Sequence, residues 1–211
     1  MVATNVTSSS SLKQPALAPG LQDAVHDAQS VFSTLMQAMA RPGRIYDLPV
    51  LPEAPAPLLA STGAALLTLA DYDTNLWLDV EDEMSNAARE WLSFHTGAPF
   101  VEEPTHADFA VATDINSRLD LEAFSPGDPE YPDRSTTLIV QVETLENASS
   151  WSLTGPGIET DHPLSVSTMP ENFIDQWQHN RAVFPLGIDV ILCAPTNVVC
   201  LPRTVQITEA V

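Results

Sequence analysis

Apolar residues early in the chain recur at helical steps. Between Asp23 and Ala40, the residues Val25, Ala28, Phe32, Leu35, Met36 and Met39 form one face of a predicted helix. Asp23 suits its N-cap, because a short acidic side chain accepts from the first unpaired amides. Arg41-Pro42-Gly43 ends it, since proline disfavours helix at the preceding residue and glycine tolerates the turn that follows. Residues 44–48 then predict a short strand. The four prolines within residues 49–57 leave too few amide donors for a ladder or a helix interior. Leu58–Ala70 is apolar nearly all round, which predicts a buried helix whose Gly63 and alanines permit close approach of a neighbour.

Residues 74–80 predict a strand. Glu81-Asp82-Glu83 puts negative charge at the start of a helix running to about Phe94, with Ala87, Trp91 and Phe94 on its buried side. Strands follow at 109–112, 136–144 and 151–153, while 116–134 reads mostly as loop. Thr168-Met-Pro-Glu171 has the spacing of a capping box, ahead of a helix that carries Phe173, Ile174 and Trp177 and ends near Arg181. Residues 188–194 and 198–201 flank Pro195-Thr196-Asn197 as a buried hairpin. Helices alternating with strands, several of them close enough to pair as hairpins, predict an α/β protein with a mixed sheet covered by helices. Residues 1–20, rich in Ser, Thr, Ala and Pro, predict a disordered tail, and 21–211 a single domain.

The hairpin register decides the state of the two cysteines. A turn centred on Thr196 and Asn197 sets Cys193 opposite Cys200. A shift of one residue leaves them diagonal, about 7 Å or more apart and beyond bridging. Buried, reduced thiols are expected in both cases.

Charge narrows the partners. The 8 Lys and Arg against 28 Asp and Glu give a formal charge of −20, so nucleic acid is excluded as an expected partner. With no apolar run of about twenty residues, no membrane span is expected. The sole lysine, Lys13, falls in the predicted tail, which removes Schiff-base chemistry and with it a pyridoxal-phosphate site. Two cysteines without Cys-x-x-Cys spacing offer no iron-sulfur or structural zinc set, so no cofactor and no metal are expected. The first twenty residues lack a basic start followed by an apolar stretch, which makes the cytoplasm the expected compartment.

Few residues invite chemistry. Asp71 and Asp73 flank Tyr72 between a helix and a strand, where they suit turn hydrogen bonds or, with a third oxygen ligand, a divalent cation. His95 lies near a helix C-terminus, a place for a structural imidazole or for an acid-base group with a partner. Leu153-Thr-Gly-Pro-Gly-Ile158 is a tight turn or an anion cradle, although Pro156 removes a donor and no Gly-Lys-Ser/Thr follows. Arg41, Arg44 and Arg203 are anion clamps or donors to exposed carbonyls. Alone, these residues specify no reaction.

The ordered series does identify a family. Phe32-x-x-Leu35-Met36-x-Ala38-Met39-Ala40-x-Pro42-Gly43 is followed by Leu66-Leu67-Thr68-Leu69-x-Asp71-x-Asp73-Thr74-x-x-Trp77-Leu78 and by Phe94-His95-Thr96-Gly97-Ala98-Pro99. The blocks 153–158, Phe184-Pro185-Leu186-Gly187-Ile188-Asp189 and Leu201-Pro202-Arg203-Thr204 complete it. From Val25 to Thr204 the chain resembles the PhnH family, subunits of the carbon-phosphorus lyase core complex. That resemblance implies a three-layer α/β/α subunit related in fold to pyridoxal-phosphate-dependent transferases but without their cofactor site. It implies a homodimer that assembles with the G, I and J subunits in phosphonate catabolism. The assembly joins an alkylphosphonate to the ribose of a nucleoside triphosphate, with loss of the base, before a radical step cleaves the carbon-phosphorus bond. The family supplies no catalytic residues for this subunit. Arg41, Asp71, Asp73, His95 and Arg203 are therefore its candidate ligand or interface residues, the alternative being a nucleotide or phosphonate site at or near the dimer interface.

Overall fold

The computed structural model describes residues 17–79, 83–114 and 119–210. Helix α1 (Ala24–Ala40) starts at the expected cap. The Asp23 carboxylate accepts from the amides of Val25 and His26 at 3.2 and 3.1 Å, and Asp27 accepts from the Asp23 amide at 2.9 Å. Helix α2 (Ala60–Leu69) has no side-chain cap of its own; the Leu59 amide donates instead to Gln141 Oε1 at 2.6 Å, across the fold. A Cβ on Gly63 would lie 2.8 Å from that of Ala54 and 3.2 Å from the Trp91 ring, so glycine is what lets helix α3 (Glu83–Thr96) pack this close.

The strands β1 (Tyr46–Asp47), β2 (Leu76–Leu78), β3 (Phe109–Ala112), β4 (Thr137–Gln141), β7 (Asp189–Cys193) and β8 (Asn197–Leu201) form one sheet in the order β1-β8-β7-β4-β3-β2. Neighbours from β2 through β7 are parallel, while β8 and β1 pair antiparallel. The sheet is mixed, as expected. Its central strands are apolar at successive positions because both faces are covered. Leu138, Val140, Val190 and Leu192 enter one core, and Ile139, Ile191, Cys193 and Cys200 the other.

The second core belongs to the face that carries α1, α2 and α3. The opposite face is covered by helix α4 (Phe173–Ala182), a 3-10 turn at Leu121–Ala123 and a second, antiparallel sheet. That sheet runs β6 (His162–Val166), β5 (Leu145–Thr154) and β9 (Gln206–Glu209). Of this sheet the sequence pattern predicts only residues 151–153. In β5 only Leu145, Trp151 and Leu153 are buried, and in β9 only Ile207, too few apolar positions to show alternation.

Three local expectations are corrected. In α1 the residues facing the core are Val31, Leu35 and Ala38; Val25, Phe32 and Met36 are 73%, 48% and 52% exposed. The apolar arc is wider than the contact the body offers it, and the sequence locates only the arc. In α3 the buried residues include Ala88, Trp91 and Leu92, whereas Ala87 is exposed and Phe94 is 69% exposed; the expected start at Glu81 and Asp82 lies outside the described residues. Thr168 does not cap α4. It takes φ +62°, and the helix begins after Asn172, where Phe173 stacks on Trp151 at 5.3 Å between ring centroids.

The β7–β8 turn centres on Pro195 and Thr196, so Cys193 pairs with Val198 and Cys200 with Ile191. Of the two registers, this is the diagonal one, and both thiols are free and buried. Burial pushes the Cys193 thiol up to about 12 and holds that of Cys200 well above its ordinary range, so neither is a thiolate at neutral pH.

Candidate functional site

The five sequence candidates fall at four separate places, Asp71 and Asp73 sharing one turn. Arg203, just beyond β8, is a saturated clamp. Its Nε donates to Asp189 Oδ1 at 3.2 Å and its Nη2 to Asp189 Oδ2 at 2.6 Å and Ser135 Oγ at 2.5 Å. Its Nη1 donates to the carbonyls of Pro132 and Pro185 at 3.0 and 3.4 Å, and its backbone amide to Asp189 Oδ1 at 2.7 Å. Every guanidinium nitrogen is engaged, so no fork is left for an anion. The residue ties the 132–135 segment, the Pro185 turn and β7 to the end of β8.

Asp71 closes a turn. Its Oδ1 accepts from the Asp73 amide at 3.0 Å and from Thr74 Oγ1 at 2.8 Å, which is the turn reading rather than the cation reading. Asp73 is exposed beside it, and no group of three metal-ligating side chains exists among the described residues. His95 Nε2 lies 3.1 Å from the Ala18 carbonyl, which also accepts from Trp91 Nε1 at 2.8 Å. A carbonyl only accepts, so Nε2 carries the proton. His95 thus holds residues 17–20, counted with the tail by composition, against α3. Arg41 is the exposed C-cap of α1. Apart from the Asp71–Asp73 turn, no hydrogen bond or ion pair joins these five residues among those described.

The glycine turn at 155–157 is a packing device. A Cβ on Gly157, at φ +84°, would overlap the Ala40 carbonyl and meet Pro42 Cδ at 2.9 Å. The end of α1 occupies the space an anion would need.

A site that sequence reading missed opens where ligands gather in α/β sheets, at the carboxyl ends of the parallel strands. A cavity of about 430 Å³ there is lined by Leu59, Thr113, Asp114, Gln141, Glu143 and Thr168, among others. Gln141 is locked at its wall: Oε1 accepts from Leu59 and Nε2 donates to the Pro57 carbonyl at 2.9 Å. Behind Asp114, the Asp79 carboxylate accepts from the Thr113 amide and hydroxyl, both at 2.8 Å, and from the Asp114 amide at 3.2 Å. Burial outweighs these bonds and raises the Asp79 carboxyl above its ordinary range. The described lining carries two acids, Asp114 and Glu143, beside the locked Gln141 amide. The one available signal was Gln141, a polar residue closing the apolar run Thr137–Gln141. Nothing local marked Thr168 as a left-handed residue.

The fold and its sites define an α/β protein with a mixed sheet, in which Arg203, Asp71 and His95 are bonded to the protein's own framework. A model of the bacterial phosphonate metabolism protein family PhnH matches residues 19–208, and the chain belongs to that family. It is 43% identical over 185 residues to the alpha-D-ribose 1-methylphosphonate 5-triphosphate synthase subunit PhnH of Rhizobium meliloti strain 1021, covering 88% of this chain and 92% of that protein. It is 30% identical over 179 residues to HtxG of Stutzerimonas stutzeri, named as a C-P lyase subunit protein, covering 85% of each.

Proposed function

We propose that this chain is the PhnH subunit of a carbon-phosphorus lyase assembly and contributes surfaces rather than reacting groups to the formation of ribose 1-alkylphosphonate 5-triphosphate. In this reading it forms a homodimer in the cytoplasm and docks on the G, I and J subunits, which supply the reacting groups. The observation that carries it is the state of its own candidates: Arg203 is saturated, Asp71 closes a turn, His95 holds a backbone carbonyl, and both thiols are buried and protonated. The kinship with pyridoxal-phosphate-dependent transferases then concerns the framework alone, supported by the run of parallel strands from β2 to β7. No described helix is long and apolar enough to cross a membrane.

The test is reconstitution. The purified chain, mixed with nucleoside triphosphate and methylphosphonate, releases no base; the mixture of subunits releases base, and leaving this chain out abolishes that activity. Base release by the chain alone refutes the reading.

The cavity at the strand ends supports a second reading, a nucleoside site in this subunit. Its Glu143 carboxylate would accept from ribose hydroxyls or a base amino group. Calorimetry separates the cases: heat with nucleoside supports this reading, and none with either nucleoside or nucleoside triphosphate refutes it.

A further inference from the structure

We propose that a small cavity beside the glycine turn, lined by Arg44 and the segment entering β6, binds a small zwitterion, with an oxyanion at one end and an ammonium at the other. The site is separate from the strand-end cavity and does not depend on the subunit reading above.

Three of the sequence blocks converge here without a part in the function proposed so far. Gly157 packs on the Ala40 carbonyl and Pro42, Gly43 meets His162 and Leu153, and Gly155 meets Thr204 and Val205. These contacts close the turn itself to an anion. Next to it they leave a cavity of about 140 Å³, lined by Pro42, Arg44, Glu159, Thr160, Asp161 and His162, among others. At about 30 Å³ for each water molecule, the space equals about five waters. That suits a molecule the size of an amino acid and is far too small for a nucleotide.

The charge pattern selects the ligand. Arg44, Glu159 and Asp161 are exposed and line one cavity, yet the guanidinium forms no ion pair with either carboxylate. None of the three side chains has a hydrogen-bond partner in the described protein. His162 supplies a second observation, because its Nε2 is buried with no partner. A Cβ on Gly43 would lie 2.9 Å from His162 Cδ2, so a bare glycine is what admits the imidazole beside the residue that precedes Arg44. Buried ring nitrogens are ordinarily paired, and an orphan in the wall of a polar cavity marks a missing partner. A lone oxyanion would suit Arg44 and His162 but be repelled by the two carboxylates, and a lone cation would be repelled by Arg44. A ligand that carries both charges satisfies each wall. Its oxyanion accepts from Arg44 and from His162 Nε2–H, and its ammonium donates to Glu159 and Asp161. Free amino acids and aminoalkylphosphonates share this chemistry.

Calorimetry on the full chain tests the site with four probes. 2-Aminoethylphosphonate and β-alanine carry both charges at the same two-carbon spacing, whereas methylphosphonate and ethylamine carry one each. A zwitterion binds once per chain, and the tighter of the two identifies the oxyanion as phosphonate or carboxylate. The singly functional probes bind at least about tenfold more weakly. Arg44→Ala weakens the zwitterion by about tenfold or more, and so, separately, does Glu159→Gln with Asp161→Asn. These side chains are exposed, so the ligand-free variants keep the wild-type melting temperature, which separates lost binding from lost folding. Binding also shifts the His162 imidazole resonances, assigned with His162→Gln, and leaves the other four histidines unmoved. No heat from either zwitterion at millimolar concentration overturns the proposal. So does methylphosphonate or ethylamine binding as tightly as a zwitterion, or a zwitterion whose affinity either set of substitutions leaves unchanged.

Discussion

Replacing Arg203 separates a structural clamp from an anion ligand. Arg203→Ala removes five side-chain hydrogen bonds and leaves the Asp189 carboxylate without its cation. Breaking one side of a buried ion pair costs about 3–5 kcal/mol. The two side chains are 13% and 23% exposed, so water reaches the orphaned carboxylate and the lower end applies, about 3 kcal/mol. For a chain of this size about 2–4 °C is lost per kcal/mol, which makes the expected fall in Tm about 6–12 °C. Arg203→Lys restores the charge but not the fork, losing the Ser135 and Pro132 contacts, and falls about half as far. Calorimetric melts, with circular dichroism at a permissive temperature to confirm folding, provide the measurement. The clamp is refuted if Arg203→Ala melts within about 2 °C of wild type while activity of the reconstituted assembly collapses. That pair of results assigns the guanidinium to a ligand or a partner subunit.

Other perturbations read other parts of the structure. His95→Ala removes the Nε2 hydrogen bond to the Ala18 carbonyl; amide exchange and proteolysis quicken within residues 17–22 while global stability drops by only about 1 kcal/mol. Gly157→Ala forces a methyl into the Ala40 carbonyl at a left-handed position and costs about 2 kcal/mol or more by urea denaturation; an unchanged midpoint contradicts the packing account of the turn. Burial raises the Asp79 carboxyl in the folded state, so its contribution to stability is complete below the ordinary carboxylate range and is lost as pH rises through the raised value. Urea titrations between about pH 4 and 7 then show a smaller loss for Asp79→Asn than for wild type. Both thiols stay silent toward a thiol reagent in the native protein and react on unfolding, since burial keeps them protonated and enclosed.

Elements whose signal is local are legible in the chain. The Asp23 cap, the stop at Pro42-Gly43, the all-apolar α2 and the β7–β8 hairpin each rest on residues adjacent in the chain, and each is present. Family membership was legible for a related reason: many weak blocks in fixed order constrain one another even where no single block fixes a role. Tertiary structure alone decided which part of the α1 arc is covered, because a helix shows its apolar width and not how much of it the body will meet. It alone showed that Arg203 is spent on Asp189, Ser135 and two carbonyls, since those acceptors come from distant segments. The strand-end cavity was invisible for the same reason. Its walls come from the segment after β3, the end of β4, the turns before α2 and α4 and the β7–β8 turn, and only the folding of the sheet brings them to one edge.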